Sequence, residues 1–210
     1  RCGLLNIGAE GQLYAAAFMT AFIGIKLGGT VVDVFGKKED WSWTSLPAFL
    51  LVPICILTAI AVGAIVGAIP GILKARFGSH EVINTIMMNY IALNTTSFLL
   101  NGIMKDPSPT NVIARTPLIA ESARIPPIFD GLRVHWGFVL ALLVAFLVWW
   151  VLNKTTLGFE IRTVGLNPDA AKYAGINVKR TIILTMALSG LLPGLAGSIE
   201  VTGLNYRHEL

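Results

Sequence analysis

Five apolar stretches, each closed off by a polar segment, constrain this chain more than any other feature. They cover about residues 13–27, 46–73, 82–104, 136–152 and 181–204. A helix that crosses the hydrocarbon core of a bilayer needs about 20 mostly apolar residues. The first stretch is short for that crossing. The second is longer than needed and should tilt or extend past the bilayer. Charged residues make up only 13% of the chain, against roughly 25% in soluble domains. Mean hydropathy is +0.70. These values exclude an ordinary soluble core and predict an all-α fold: a polytopic transmembrane bundle of about five spans, forming one domain over residues 1–210. Within lipid every backbone polar group must be satisfied internally, which helices achieve.

The interruptions carry the remaining information. Pro53, Pro70 and Pro193 lie in or near the apolar runs, where each is expected to kink its helix. Trp41, Trp43, Trp136, Trp149 and Trp150 suit an interfacial belt. Residues 105–134 hold Pro107, Pro109, Pro117, Pro126 and Pro127 and read as a long loop ordered by contacts rather than a span. The chain opens on Arg1-Cys2-Gly3 without an initiator methionine and stops just after an apolar run, which reads as a fragment of a longer protein. Cys2 and Cys55 are far apart and show no metal-type spacing with histidine. The net charge of +4 sits mostly in the loops and suits anionic lipid better than nucleic acid.

Orientation follows from parity. Strict alternation of spans puts the 74–81 turn on the same side as the 154–180 loop. Lys74, Arg76, Lys154, Arg162, Lys172, Lys179 and Arg180 lie there, dense and close to span ends. The other side has Lys37, Lys38, Lys105, Arg115, Arg124 and Arg133 spread over longer loops. The positive-inside rule therefore makes 154–180 cytoplasmic and 105–134 extracytoplasmic.

Two polar groups stand out near the spans. Asn6, Glu10 and Gln12, with Gly8 and Gly11, precede the shortest span and suggest irregular backbone. Such backbone survives in a membrane only when shielded by protein or lining a wet cavity, and transporters bind substrates at such breaks. An ordinary interfacial loop is the bland alternative. Asn84, Asn89 and Asn94 run along the third span. Each five-residue step turns the helix by about 140°, so they cannot share one narrow face. Asn89, at about mid-bilayer depth, is the candidate substrate contact, beside the competing role of interhelical hydrogen bonding. Met87, Met88, Tyr90 and Phe98 would suit a slot for an aromatic solute, and core packing explains them equally well. Gly190 and Gly194 form a G-x-x-x-G read as helix packing.

Residues 158–180 contain the start and stop signals of one short helix. Asn167 is a good N-cap, Pro168 suits the first helical position and Asp169 complements the N-terminal dipole. Gly175 sits where a left-handed C-terminal residue belongs. So short a helix is unstable alone and must dock against something. No P-loop and no G-x-S-x-G elbow occurs in the chain, so neither ATP binding through a Walker motif nor that hydrolase chemistry belongs to it.

Asp169-Ala170-Ala171-x-x-x-Gly175 resembles the E-A-A-x-x-x-G cytoplasmic loop of binding-protein-dependent ABC permeases, with Asp in place of Glu. The later I-x-L-P of that motif is not kept; only Leu192-Pro193 lies downstream. Residues 6–12, 80–90 and 156–168 resemble the permeases for nucleosides, simple sugars and branched-chain amino acids, the nucleoside branch above all. The resemblance implies an importer subunit that hydrolyses no ATP itself and needs no cofactor. It implies a separate ATP-binding cassette ATPase, a second permease subunit and an extracytoplasmic substrate-binding lipoprotein as partners, in the inner or plasma membrane. It also implies coupling through the 167–175 helix, with polar contacts from Arg162, Asp169 and Lys172 and an aromatic anchor in Tyr173. An ion-gradient-driven secondary transporter, using Glu10 or Glu200, is the alternative within transport. An intramembrane enzyme would need a His, Ser or Asp cluster that the scattered histidines do not supply.

Overall fold

A computed structural model describes residues 3–28, 31–32, 38–39, 43, 45–105, 115–128 and 134–209. Cys2, Lys37, Trp41, Pro107, Pro109 and Arg133 lie outside them. Seven α-helices are present among the described residues: α1 (Ala9–Lys26), α2 (Ala48–Phe77), α3 (Glu81–Ile103), α4 (Gly137–Lys154), α5 (Thr156–Leu166), α6 (Pro168–Tyr173) and α7 (Val178–Ile199). A π-helical turn, Glu200–Asn205, continues α7. Two-residue strands, β1 (Val31–Val32) and β2 (Lys38–Glu39), pair antiparallel between α1 and α2.

All five expected spans are helices, yet only α2, α4 and α7 with its π turn are long and apolar enough to cross a membrane by composition. The two that fall short are α1 and α3. The reason for α1 is its position: it packs against α2, α3 and α7. A helix surrounded by protein can bury Gln12 and Thr20 where a lipid-facing one would carry aliphatic side chains. The core around it joins Phe18, Ala21 and Ile25 of α1 to Leu51 and Cys55 of α2, Leu100 of α3 and Ile119 of the following loop.

The prolines lie inside continuous helices. α2 runs unbroken through Pro53 and Pro70, and α7 through Pro193. Neighbouring helices offset the missing N–H groups in such settings. α2 ends at Gly78, whose φ of 66° supplies the left-handed cap. α3 then starts at Glu81, with His80 at the cap position and no side-chain cap bond. Ser79 Oγ accepts from Asn84 Nδ2 at 2.6 Å, and Lys74 pairs with Glu81 across the turn at 2.8 Å.

α2 and α7 lie antiparallel at backbone contact. A methyl group placed on Gly67 would sit 2.8 Å from the Met186 carbonyl, and one on Gly194 would sit 2.5 Å from that of Ala59. Ala59, Gly63, Gly67 and Gly71 thus meet Met186, Gly190 and Gly194. The Gly190–Gly194 pair packs as expected, and its partner row on α2 is the feature that sequence reading passed over. This pairing sets the C-terminal end of α2 beside the N-terminal end of α7. The 74–81 turn and α6 consequently share one end of the bundle, as parity required.

At the opposite end the loop after α3 is tied down. Thr116 N–H donates to the His208 carbonyl at 2.9 Å, Ile119 N–H to Tyr206 at 2.8 Å and Ile125 N–H to Thr202 at 2.8 Å. Ile119, Ala120 and Ala123 are buried there. Gly24 of α1 abuts Ile119 and Ala123.

Candidate functional site

Two groups of residues form the candidate site, one at the α6 end and one part-way into the bundle. At the α6 end, Asn167 Oδ1 accepts from Asp169 N–H at 3.0 Å and Ala170 N–H at 3.1 Å. Pro168 occupies the first turn and Gly175 has φ of +80°. The start and stop signals therefore act as their residue types dictate. The helix itself is six residues long and is held by packing. Ala171 is fully buried against Ile161 and Val164 of α5, with Leu152, Ile176 and Ile182 around them.

That support comes from α5, which the reading of 158–180 as a polar interruption overlooked. Leu157, Ile161 and Val164 recur at helical spacing, and Thr155 caps the helix by accepting from Gly158 N–H at 3.3 Å. Docked this way, α6 turns its polar residues and one aromatic outward. Asp169, Lys172 and Arg162 are exposed, and Tyr173 is 94% exposed. Leu166, at the end of α5, is 88% exposed as well. Its place directly before the Asn167 N-cap is legible in the sequence, whereas its exposure is seen only in the fold.

The second group is a knot of amides where α1 begins. Asn6 Nδ2 donates to Ser189 Oγ of α7 at 2.9 Å and to Gln12 Oε1 at 3.2 Å. Asn6 Oδ1 accepts the Gly8 N–H at 2.9 Å. From α3, Asn89 Oδ1 accepts Gly11 N–H at 2.9 Å while its Nδ2 donates to the Ile7 carbonyl at 2.9 Å. The backbone before α1 is therefore irregular, as its glycines suggested, and α3 satisfies it. A methyl group on Gly11 would lie 2.8 Å from the Asn89 Cα, so α1 and α3 touch at this level.

Asn6, Gln12 and Asn89 are thus brought together, and each spends side-chain groups on the protein. Gln12 is fully buried. Glu10 sits at the same level but is exposed. Residues 3–8 also link the two groups: Leu4 packs into the α5–α6 cluster two positions before Asn6 joins the knot.

Beyond the π turn, His208 is only 3% exposed, its ring edge-on to Tyr14 and Phe18. Burial without a counter-charge pushes its pKa down to about 4.

A profile of the family described as "Branched-chain amino acid transport system / permease component" matches residues 1–208. The chain belongs to this permease family. Relatives include the guanosine ABC transporter permease protein NupP of Bacillus subtilis, 39% identical over 97% of this chain and 53% of that protein. The nucleoside ABC transporter permease protein NupB of Lactococcus lactis is 35% identical over 95% of this chain and 52% of its own length. The glucose ABC transporter permease protein TsgB13 of Haloferax volcanii is 29% identical, covering 97% and 51%. The chain spans about half the length of these curated relatives. No solved structure matches it. This family fits the permease reading and not the ion-gradient alternative.

Proposed function

We propose that this chain is part of the permease subunit of an ABC importer that moves a nucleoside, or a simple sugar, across the cell membrane. A separate ATPase supplies the energy, a second permease subunit completes the path and an extracytoplasmic binding lipoprotein delivers the solute. The observation that carries this reading is the docked α6, a short rod with a buried Ala171 underneath and Asp169, Lys172 and Tyr173 outward.

Residues 154–180 face the cytoplasm in this reading, and 105–134 the outside. α6 enters a surface groove of the ATPase, with Tyr173 as aromatic anchor and Arg162, Asp169 and Lys172 as polar contacts. Closure of the ATPase pair on ATP then moves α5 and α6 together, because Ile161, Val164 and Ala171 hold them as one body. The same movement reaches the knot through Leu4 and Asn6. There Glu10 is open to the solute, while Asn6, Gln12 and Asn89 shape the floor beside it. The nucleoside assignment draws on the printed functions of NupP and NupB.

The test is ATP-driven uptake by the complete transporter in proteoliposomes. Tyr173→Ala, Asp169→Arg and Gly175→Pro should each lower uptake by about ten-fold or more, with normal expression and assembly of the permease. Tyr173→Ala is the cleanest of the three, since an exposed side chain contributes little to folding. Normal uptake in all three variants would refute a coupling role for α6.

A further inference from the structure

Seven positions of α3 form one outward row: Ile83, Met87, Tyr90, Ile91, Asn94, Phe98 and Asn101 are all exposed. At about 100° per residue they fall within roughly a third of the helix circumference. Thr85, Ala92, Thr96 and Leu100 are buried on the opposite side. Among the described residues nothing covers Met87, Tyr90 and Phe98: these side chains point away from the core.

The row does not suit lipid either. α3 has 23 residues, length enough to cross, but it falls outside the helices apolar enough to do so. Asn94 lies about 20 Å along the axis from Glu81, and Asn101 about 30 Å, at 1.5 Å per residue. An amide at the depth of Asn94 faces the interior of a bundle or a wet path rather than hydrocarbon, while Asn101 stands at the far edge of a core about 30 Å thick. α4 is the contrast, since its exposed side chains include Phe138, Leu142, Phe146 and Trp149.

We infer that this row of α3 lines the solute path and recognises a planar aromatic heterocycle of the nucleobase class. Its central part alternates ring and amide: Tyr90, Asn94, Phe98, Asn101. Successive members stand about 4.5–6 Å apart along the axis, so a base stacked on one ring reaches the neighbouring amide with its polar edge. Asn94 Nδ2 donates to the Tyr90 carbonyl at 2.7 Å and Asn101 Nδ2 to the Ser97 carbonyl at 2.9 Å. Each bond fixes its side chain and uses one N–H, leaving donor and acceptor capacity for a solute. The thioether of Met87 adds a polarisable contact at the row's start. This inference rests on the importer reading and specifies where its solute would run.

The experiment uses the complete transporter in proteoliposomes, with Cys2 and Cys55 replaced by alanine and a single cysteine introduced as Asn94→Cys. The rate of modification by a small methanethiosulfonate reagent is measured with guanosine, ribose or glucose as probes. Guanosine should slow modification by about five-fold, while ribose leaves it unchanged. Phe146→Cys on α4, the control, should show no protection. Tyr90→Ala and Phe98→Leu should raise the KM for nucleoside uptake by about five-fold, while ATP hydrolysis stimulated by the binding protein stays normal. Protection by glucose alone would overturn the nucleobase assignment and the nucleoside reading with it. Absence of protection by a solute that the same vesicles take up would overturn the α3 path and leave the importer reading standing. A disulfide between two copies at position 94, formed equally with and without solute, would also overturn it.

Discussion

His208 shows how one buried residue writes a pH dependence into the whole chain. Its pKa falls from 6.5 to about 4 because burial disfavours the charged ring. The unfolded chain takes up a proton at His208 that the folded chain refuses, so stability is complete above about pH 6.5. It declines as pH drops from 6.5 toward 4, with a limit of about 3 kcal/mol for a shift of this size. Thermal unfolding in detergent should show Tm falling across that window in the native protein, and a His208→Leu variant should lose most of that slope. Sequence alone flagged His208 only as one of several scattered histidines. Its burial depends on Tyr206, which turns the chain back with a φ of 54°, and nothing in the residue types around it announces that turn. Asn167, Pro168 and Gly175 are the opposite case. Their roles are local, set by the φ each residue prefers and the bonds its side chain makes within a few positions, and so they were readable directly. Asn6, Gln12 and Asn89 stand between. Their depth and polarity drew attention, but that they bond one another is decided by the α1–α3 contact and by Ser189, which is 183 positions from Asn6.

The elements divide in the same manner. Apolar length located every expected span, because composition must match the surroundings a helix meets. It overstated how many face lipid, because α1 escapes that requirement by being enclosed. It missed α5, since a helix whose Leu157, Ile161 and Val164 are interspersed with Glu160, Arg162 and Thr163 looks polar when averaged over a window. The α2–α7 seam makes the most severe demand at this scale. Leucine in place of Gly67 would drive its Cβ to 2.8 Å from a backbone carbonyl that cannot swing aside. Gly67→Leu should therefore cost about 3 kcal/mol or more and abolish the folded fraction in a detergent-extraction assay. Leucine at Gly78, where nothing lies within 4 Å, meets only the left-handed backbone and should cost about 1–2 kcal/mol.

For the molecule as a whole, the decisive relation is which loops share an end. α2 and α7 are antiparallel, so Phe77 and Tyr173 belong to one end of the bundle, while Glu121 belongs to the other with the 115–128 loop. Single cysteines at Phe77 and Tyr173 should react with a membrane-impermeant maleimide only after the cells are opened, and one at Glu121 in intact cells. Labelling of Tyr173→Cys from outside would reverse the proposed orientation. Parity and basic residues had reached the same pairing of loops, since chain direction alternates across a membrane whatever the helices touch.

A joint in which main chain meets main chain has no hinge pins. At Gly63 and Gly67 of α2 the nearest atoms of α7 are backbone rather than long side chains that could swing from one rotamer to another, so the pair has little play and should travel as a single stiff slab. Any rocking in the proposed transport cycle must take place elsewhere than this seam. α1 meets the same slab main chain to main chain at Gly197, where a methyl group would lie 2.5 Å from the Leu13 carbonyl, so it is bound to travel with the pair.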